Sequence, residues 1–387
     1  MQRKLTLTLA TSMMMFPQVV ETIYSPALTH IADGFHVSAE IAAQTLSSYF
    51  FAFALGVVVW GRACDVIGRR PVILLGLGIY LLASIIAVVS DTFALLLAVR
   101  VIAAFGAAVG SVGTQTAIRD CFNGQELTQV FSLMGIAMAL SPALGVLSGT
   151  VLTYYWGFQG VFTGLAILAF VLLGYVAWQM PETRPLQIIQ APFFSTFKRM
   201  LKDGDIWRSA MSVALFNTCM FSYYQLAPFH FETLTIPHTW FGYTGLILAI
   251  GVSLGAVVNK VLVARNWIFI SLLKLAFGLG FLGAISMLVT ENKVWFVLAM
   301  IPVVMAYGIA IPNILARALR RYNDCIGTAG AILGLMYYMM LGGGLVLAGL
   351  IQRLSLVLIL CSLLIGLLIL SHVQDEPKTD GLSVKET

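Results

Sequence analysis

Apolar residues fall in blocks of about 20 positions, each bounded by short polar or charged stretches. The blocks lie near 6–30, 41–61, 71–90, 93–116, 128–153, 160–179, 209–231, 240–262, 267–289, 294–316, 327–350 and 354–371. Each is long enough to cross a hydrocarbon core as a helix. Twelve such spans consume ~240 residues. What remains makes loops and tails, too short for a soluble domain. The pattern therefore predicts an all-α membrane protein of twelve transmembrane helices.

Composition agrees. Of 387 residues, 59% are hydrophobic and 10% charged, and mean hydropathy is +0.93. Soluble domains carry about 25% charged residues. A secreted protein, a nucleic-acid binder and an ordinary soluble enzyme are excluded. The apolar run after Met1-Gln2-Arg3-Lys4 is too long for a cleaved signal segment and lacks a small-residue cleavage site, so it is read as a retained first span. Five cysteines show no ligand spacing, and neither metal nor cofactor is expected.

Charge placement sets the orientation. With the N-terminus in the cytoplasm, 18 of the 22 Lys and Arg fall in cytoplasmic segments. Only Lys293 and Arg353 lie outside, and Arg100 and Lys274 lie within spans. The positive-inside rule then puts both termini in the cytoplasm. The polar stretch 181–208 divides six spans from six. The expected organisation is an N-terminal bundle (1–183), a cytoplasmic linker (184–208), a C-terminal bundle (209–372) and a cytoplasmic tail (373–387) that reads as a disordered polar end. Two pseudo-symmetric six-helix bundles around a central cavity can expose one site to each side in turn by rocking.

Between the second and third spans the chain reads Gly61-Arg62-Ala63-Cys64-Asp65-Val66-Ile67-Gly68-Arg69-Arg70-Pro71. Two glycines permit a tight turn and close helix approach. The arginines hold the inside face, and the Asp can accept hydrogen bonds from a helix N-terminus or pair with a basic residue. In the fifth span, Ser141-Pro142-Ala143-Leu144-Gly145-Val146-Leu147-Ser148-Gly149 combines a kinking proline with two glycines four apart, which admit a neighbouring helix. Arg100 and Glu21 are charges inside spans, where charge is costly and usually functional. Counted along their helices, Glu21 is ~24 Å into the membrane from one face and Arg100 ~14 Å from the other. In a core ~30 Å thick the two are close enough in depth to pair or to compete for one proton. Burial favours the neutral form of a carboxyl and a neighbouring guanidinium the charged form; a group poised between them can load and unload protons.

These segments resemble the major facilitator superfamily. The 61–71 segment is similar to its G-x-L-a-D-r-x-G-r-r motif, with Gly61, Asp65, Gly68, Arg69 and Arg70 retained and Ala63 and Val66 departing. The resemblance implies a gating loop in which Asp65 locks the two halves together against Arg119 or the start of the eleventh span at Gly327-Thr328. The matching loop of the second half keeps Lys260 and Arg265 but has neither the Asp nor its glycines, so the latch is one-sided. The fifth-span segment resembles the G-P-x-x-G-G element of drug:proton antiporters, with Ser141 and Val146 in place of two glycines. Arg100 and Gly106 match an R-x-x-Q-G element, with Ala103 and Ala104 departing. Tyr24-Ser25-Pro26, Ala117-Ile118-Arg119-Asp120, Pro181-Glu182-Thr183-Arg184 and Ile311-Pro312-Asn313 are similar to the Bcr/CflA-type drug-resistance subfamily. That subfamily commonly carries an Asp where this chain has Thr22, with the acid here one residue earlier.

The resemblance implies a cavity lined by the first, fourth, seventh and tenth spans and supported by the fifth, eighth and eleventh. Candidate lining residues are Gln18, Gln115, Met138, Asn217 and Tyr223, with Tyr224, Tyr307, Asn313 and Tyr337. Aromatic and Met side chains suit bulky amphipathic or cationic compounds. The expected function is proton-coupled antiport of small organic compounds or drugs in a bacterial inner membrane, by a monomer, with Glu21 and Arg100 in proton coupling. Alternatives keep the fold: export of one native metabolite such as a siderophore or amino-acid derivative, or proton-coupled uptake. The chain shows neither an acidic dyad nor a His-Glu-x-x-His pattern, so an intramembrane enzyme is not expected.

Overall fold

A computed structural model describes residues 5–185 and 193–375. The first four residues, 186–192 of the linker and 376–387 of the expected tail lie outside the described residues. The helices are α1 (Leu7–Thr22), α2 (Leu28–Gly34), α3 (Ala39–Ile67), α4 (Arg69–Val88), α5 (Phe93–Cys121), α6 (Gly124–Gln179), α7 (Phe193–Leu201), α8 (Gly204–Thr233), α9 (Thr239–Ala264), α10 (Phe269–Thr290), α11 (Phe296–Ala318), α12 (Ile326–Ile351) and α13 (Leu354–Asp375). Nine of the described helices are long and apolar enough to cross a membrane. The 56-residue α6 bends at Gly157, where φ is 62°, and supplies the fifth and sixth spans. The first span is α1 continued through a 3-10 turn at Ser25–Ala27 into α2, broken where Pro26 starts the turn. The seventh is α8, whose apolar run is diluted by buried Asn217, Ser222 and Gln225. Twelve spans result, as expected.

Two boundaries differ from expectation. The 61–70 segment is helix rather than loop: α3 runs to Ile67, α4 begins at Arg69, and Gly68 alone makes the corner at φ 118°. Gly61 lies inside α3, where it meets Val112 and not a turn. The seventh span starts at Gly204, because Asp203 caps α8 by accepting from the Asp205 amide at 2.9 Å.

Each half packs as a bundle: α1, α3, α4, α5 and α6 in one, α8 to α13 in the other. They meet along two seams, α3 with α12 and α6 with α9. Small residues set the second seam: a Cβ at Gly245 would lie 3.1 Å from the Ala143 Cα. Among the described residues, the side-chain hydrogen bonds joining the bundles cluster toward the face opposite the basic residues. Gln225 on α8 donates to the Ala43 carbonyl (2.9 Å) and Ser47 hydroxyl (3.3 Å) of α3, and to the Leu345 carbonyl of α12 (3.1 Å). Gln44 donates to the Val346 carbonyl (3.3 Å), and the Ser25 hydroxyl to the Tyr224 carbonyl. Nearby, the His30 and His238 rings face each other across the bundles, centroids 6.2 Å apart.

Gln225 is fully buried, so its removal strips donors from sites water does not reach. Each buried group so stranded costs about 1–3 kcal/mol. In a background without native cysteines, Gln225→Leu is expected to slow cross-linking between cysteines at positions 30 and 238 severalfold. An unchanged rate would show that this face is held shut by packing alone.

Candidate functional site

Glu21 occupies the last turn of α1 and is 1% exposed, the one fully buried acid among the described residues. Its carboxylate lies within electrostatic range of the Tyr49 phenol of its own bundle and of Tyr307, Tyr337 and Tyr338 of the other. Glu21 thus faces the junction of the bundles. Aromatic rings surround that junction: Phe50 meets Phe221 edge-on at 4.7 Å, Phe53 meets Tyr338 at 4.9 Å, and Tyr337 lies 4.3 Å from Tyr338. The Tyr307 hydroxyl reaches the Asn217 Oδ1 at 3.5 Å.

Arg100 does not pair with Glu21, one of the two arrangements expected. Its guanidinium is 1% exposed and lies over the Tyr24 ring at 4.0 Å and the Tyr49 ring at 4.9 Å. Those π faces stabilise the cation in place of a carboxylate. Arg100 and Glu21 both act electrostatically on Tyr49, and among the described residues no ion pair joins the two. Thr22, the position of the expected acid, turns instead toward α6. Its hydroxyl donates to the Gln18 carbonyl at 2.9 Å and abuts Gly145.

The fifth-span motif sets the position of α1. Gly145 sits against the Val19 carbonyl and the Ile23 amide, 2.9 and 3.1 Å from where a Cβ would be. At Gly149 a Cβ would overlap the Ile23 carbonyl oxygen. Ser141 is spent on its own helix, donating to the Ala137 carbonyl at 2.7 Å one residue before Pro142. The glycines therefore bracket Glu21 through its backbone neighbours.

The basic motif closes on its own bundle. Arg69 is 3% exposed; its Nε donates to Asp120 at 2.7 Å and its Nη1 to the Cys64 carbonyl at 2.8 Å. Asp65 pairs with Arg69 at 3.4 Å, not with Arg119 or Gly327-Thr328 as expected. Arg119 lies over the Phe131 ring at 5.8 Å. The reason is local: Asp65 and Arg69 are four residues apart around the Gly68 corner, which brings them together without help from the other half. Sequence reasoning passed over the roles of Asp120 and Glu182. Glu182 accepts from the Arg69 and Arg70 amides at 2.9 and 3.2 Å, covering free donors at the start of α4. Thr183 donates to Asp120 at 3.3 Å, and Arg184 to the Val66 carbonyl at 2.8 Å. Their signals were the Ala117-Ile118-Arg119-Asp120 and Pro181-Glu182-Thr183-Arg184 matches.

Breaking a buried pair from one side costs about 3–5 kcal/mol. Asp120→Ala and Arg69→Ala are each expected to lower the melting temperature of the purified protein, with the double variant well short of the sum. Additive losses would mean that the two side chains act separately.

The remaining candidates divide. Tyr224, Tyr307 and Tyr337 are at the junction. Asn217 also donates to its own helix at the Val213 carbonyl, 2.8 Å. Tyr223 is not there: it packs inside the C-terminal bundle, stacked on Phe241 at 6.0 Å, because one helical step from Tyr224 turns it away. Asn313 bonds Asn259 at 2.6 Å, Gln115 bonds Ser111 at 3.3 Å, and Gln18 and Met138 are half-buried. Tyr49, Phe50, Phe53 and Phe221 join the junction without having been among the site residues expected. The aromatic run from Tyr49 to Phe53 was the available signal.

Two bundles of helices, most of them long and apolar enough to cross a membrane, thus meet around a buried acid. The chain belongs to the Major Facilitator Superfamily, whose pattern spans residues 9–349. It is 29% identical over 339 residues to an uncharacterized transporter of Rickettsia bellii, covering 84% of each chain. It is 26% identical over 334 residues to a chloramphenicol resistance protein of Pseudomonas aeruginosa, covering 83% of this chain and 77% of that one. Its fold matches a crystal structure of a POT family transporter with a TM-score of 0.76 at 12% identity over 96% of both chains. The chain is thus a multi-pass membrane transporter of small molecules, not an enzyme, with drug-resistance proteins among its relatives.

Proposed function

We propose that the protein is a proton-coupled antiporter that exports small organic compounds, with Glu21 as the proton-carrying group. The observation that carries the reading is the placement of Glu21: a buried carboxylate without an ion-pair partner, within electrostatic reach of phenols from both bundles. An uncompensated charge in that setting is costly. A proton or a cationic or hydrogen-bonding cargo relieves the cost, and two ligands that relieve the same charge compete. Competition at one site, with access alternating between faces, is antiport.

Arg100, held between Tyr24 and Tyr49, keeps a positive potential behind Tyr49 and favours proton departure from Glu21. The basic face is taken as cytoplasmic by the positive-inside rule, which places both termini there and suits a bacterial inner membrane. The protein acts as a monomer, since the site is complete within one chain. The linker assigned to 184–208 joins bundles 1–183 and 209–372. With the bundles tied at the outer face through Gln225, cargo enters from the cytoplasm; protons arriving from outside release it outward.

Cells overexpressing the protein, grown against a panel including chloramphenicol and tetraphenylphosphonium, test this. Protection against at least one compound, lost on adding a proton uncoupler, is expected. Protection that survives the uncoupler would contradict proton coupling.

A further inference from the structure

The linker helix α7 carries two different stripes. Phe193, Thr196, Phe197 and Met200 form one, packed on an apolar cluster with Ile206, Ala329 and Leu333 at the base of α8 and α12. This stripe is tied down further: Tyr322 donates to Asp203 at 2.9 Å, and Arg321 pairs with Asp205 at 2.9 Å. The helix is therefore fixed to the C-terminal bundle. The second stripe, roughly a quarter turn away, is Phe194, Lys198 and Leu201, with Lys202 in the turn just past the end of the helix. Phe194 is 77% exposed and Leu201 40%. The Trp207 indole donates to the Leu201 carbonyl at 2.9 Å and is itself 42% exposed, which extends the apolar edge to the first turn of the seventh span.

A large exposed apolar edge beside a span, with lysines along it and an indole at its end, has the chemistry of a bilayer interface. Indoles prefer headgroup depth, and lysines beside apolar side chains add attraction to anionic lipid. Asp203 accepts from the Tyr322 hydroxyl and Asp205 pairs with Arg321, so neither acid forms an ion pair with Lys198 or Lys202. We propose that this stripe of α7 docks on anionic phospholipid headgroups, anchoring the linker and the base of α12 to the membrane surface. The inference is independent of the transport reading.

The test reconstitutes the full chain in nanodiscs of phosphatidylcholine alone, or with a third phosphatidylglycerol, and follows amide hydrogen exchange across 193–201. A lysine near an anionic surface contributes about fivefold in binding, so the pair gives roughly 25-fold. Phosphatidylglycerol is expected to slow exchange in α7 strongly in the wild type. The slowing should fade in high salt and largely vanish in the Lys198→Gln, Lys202→Gln double variant, while exchange in α12 stays as in the wild type. Equal exchange in both lipid mixtures would overturn the proposal, as would slowing that persists in the double variant. If α12 exchange rises in the double variant, single Lys198→Gln and Lys202→Gln variants each must show partial loss of the lipid effect, or the proposal fails.

Discussion

Glu21→Gln should produce a folded protein that binds cargo more weakly and, even at saturating cargo, no longer moves it against a gradient. Glutamine keeps the size and hydrogen-bonding reach of the side chain and cannot titrate. Packing around position 21 is therefore preserved, and melting temperature should stay close to the wild type. In proteoliposomes with an imposed proton gradient, cargo accumulation should fall to the level of protein-free vesicles. Exchange of labelled for unlabelled cargo, which needs no net proton movement, should survive. The split between lost driven transport and retained exchange marks a coupling group, because a residue that only shaped the cavity would weaken both. Driven transport at the wild-type rate would remove Glu21 from the mechanism.

Gly149→Val is expected to damage the same function by geometry. A Cβ at this position collides with the Ile23 carbonyl oxygen and lies 2.9 Å from its carbon and 3.1 Å from its Cα. The obstacle is backbone, so no rotamer change relieves it and α6 must move away from α1. Overpacking of this kind costs about 1–3 kcal/mol. The displaced segment begins two residues after Glu21, so transport should suffer more than stability. The valine variant is expected to melt measurably lower and to lose most driven transport, with Gly149→Ala intermediate. A valine variant with wild-type melting and transport would show that α1 and α6 do not need this contact.

What could be read from the chain, and what could not, follows from geometry. Spans are legible because a bilayer forces about 20 apolar residues per crossing. The break of the first span was hidden inside one apolar block, although Pro26 marked it. Depth along a helix follows from residue counting, which is why Glu21 and Arg100 were placed at similar levels. Direction around the helix depends on partners from distant parts of the chain. One step of about 100° separates Tyr223, inside its bundle, from Tyr224 at the junction. The same step separates Glu21 from Thr22, which meets Gly145. The Asp65 and Arg69 contact is local and the clasp by Glu182 is not, since 113 positions separate Glu182 from Arg69. The Pro181-Glu182-Thr183-Arg184 match marked the segment, but nothing along the chain pointed from Glu182 to the start of α4.

The central claim is that cargo and a proton contend for Glu21. The most direct measurement is proton release when an exported compound from the growth panel is added to the purified protein in weakly buffered detergent solution, read with a pH indicator. The account predicts release from the wild type that saturates with the compound, and none from Glu21→Gln at concentrations where the variant still binds it. Equal release from both proteins, or binding by the wild type at every pH without release, would contradict it.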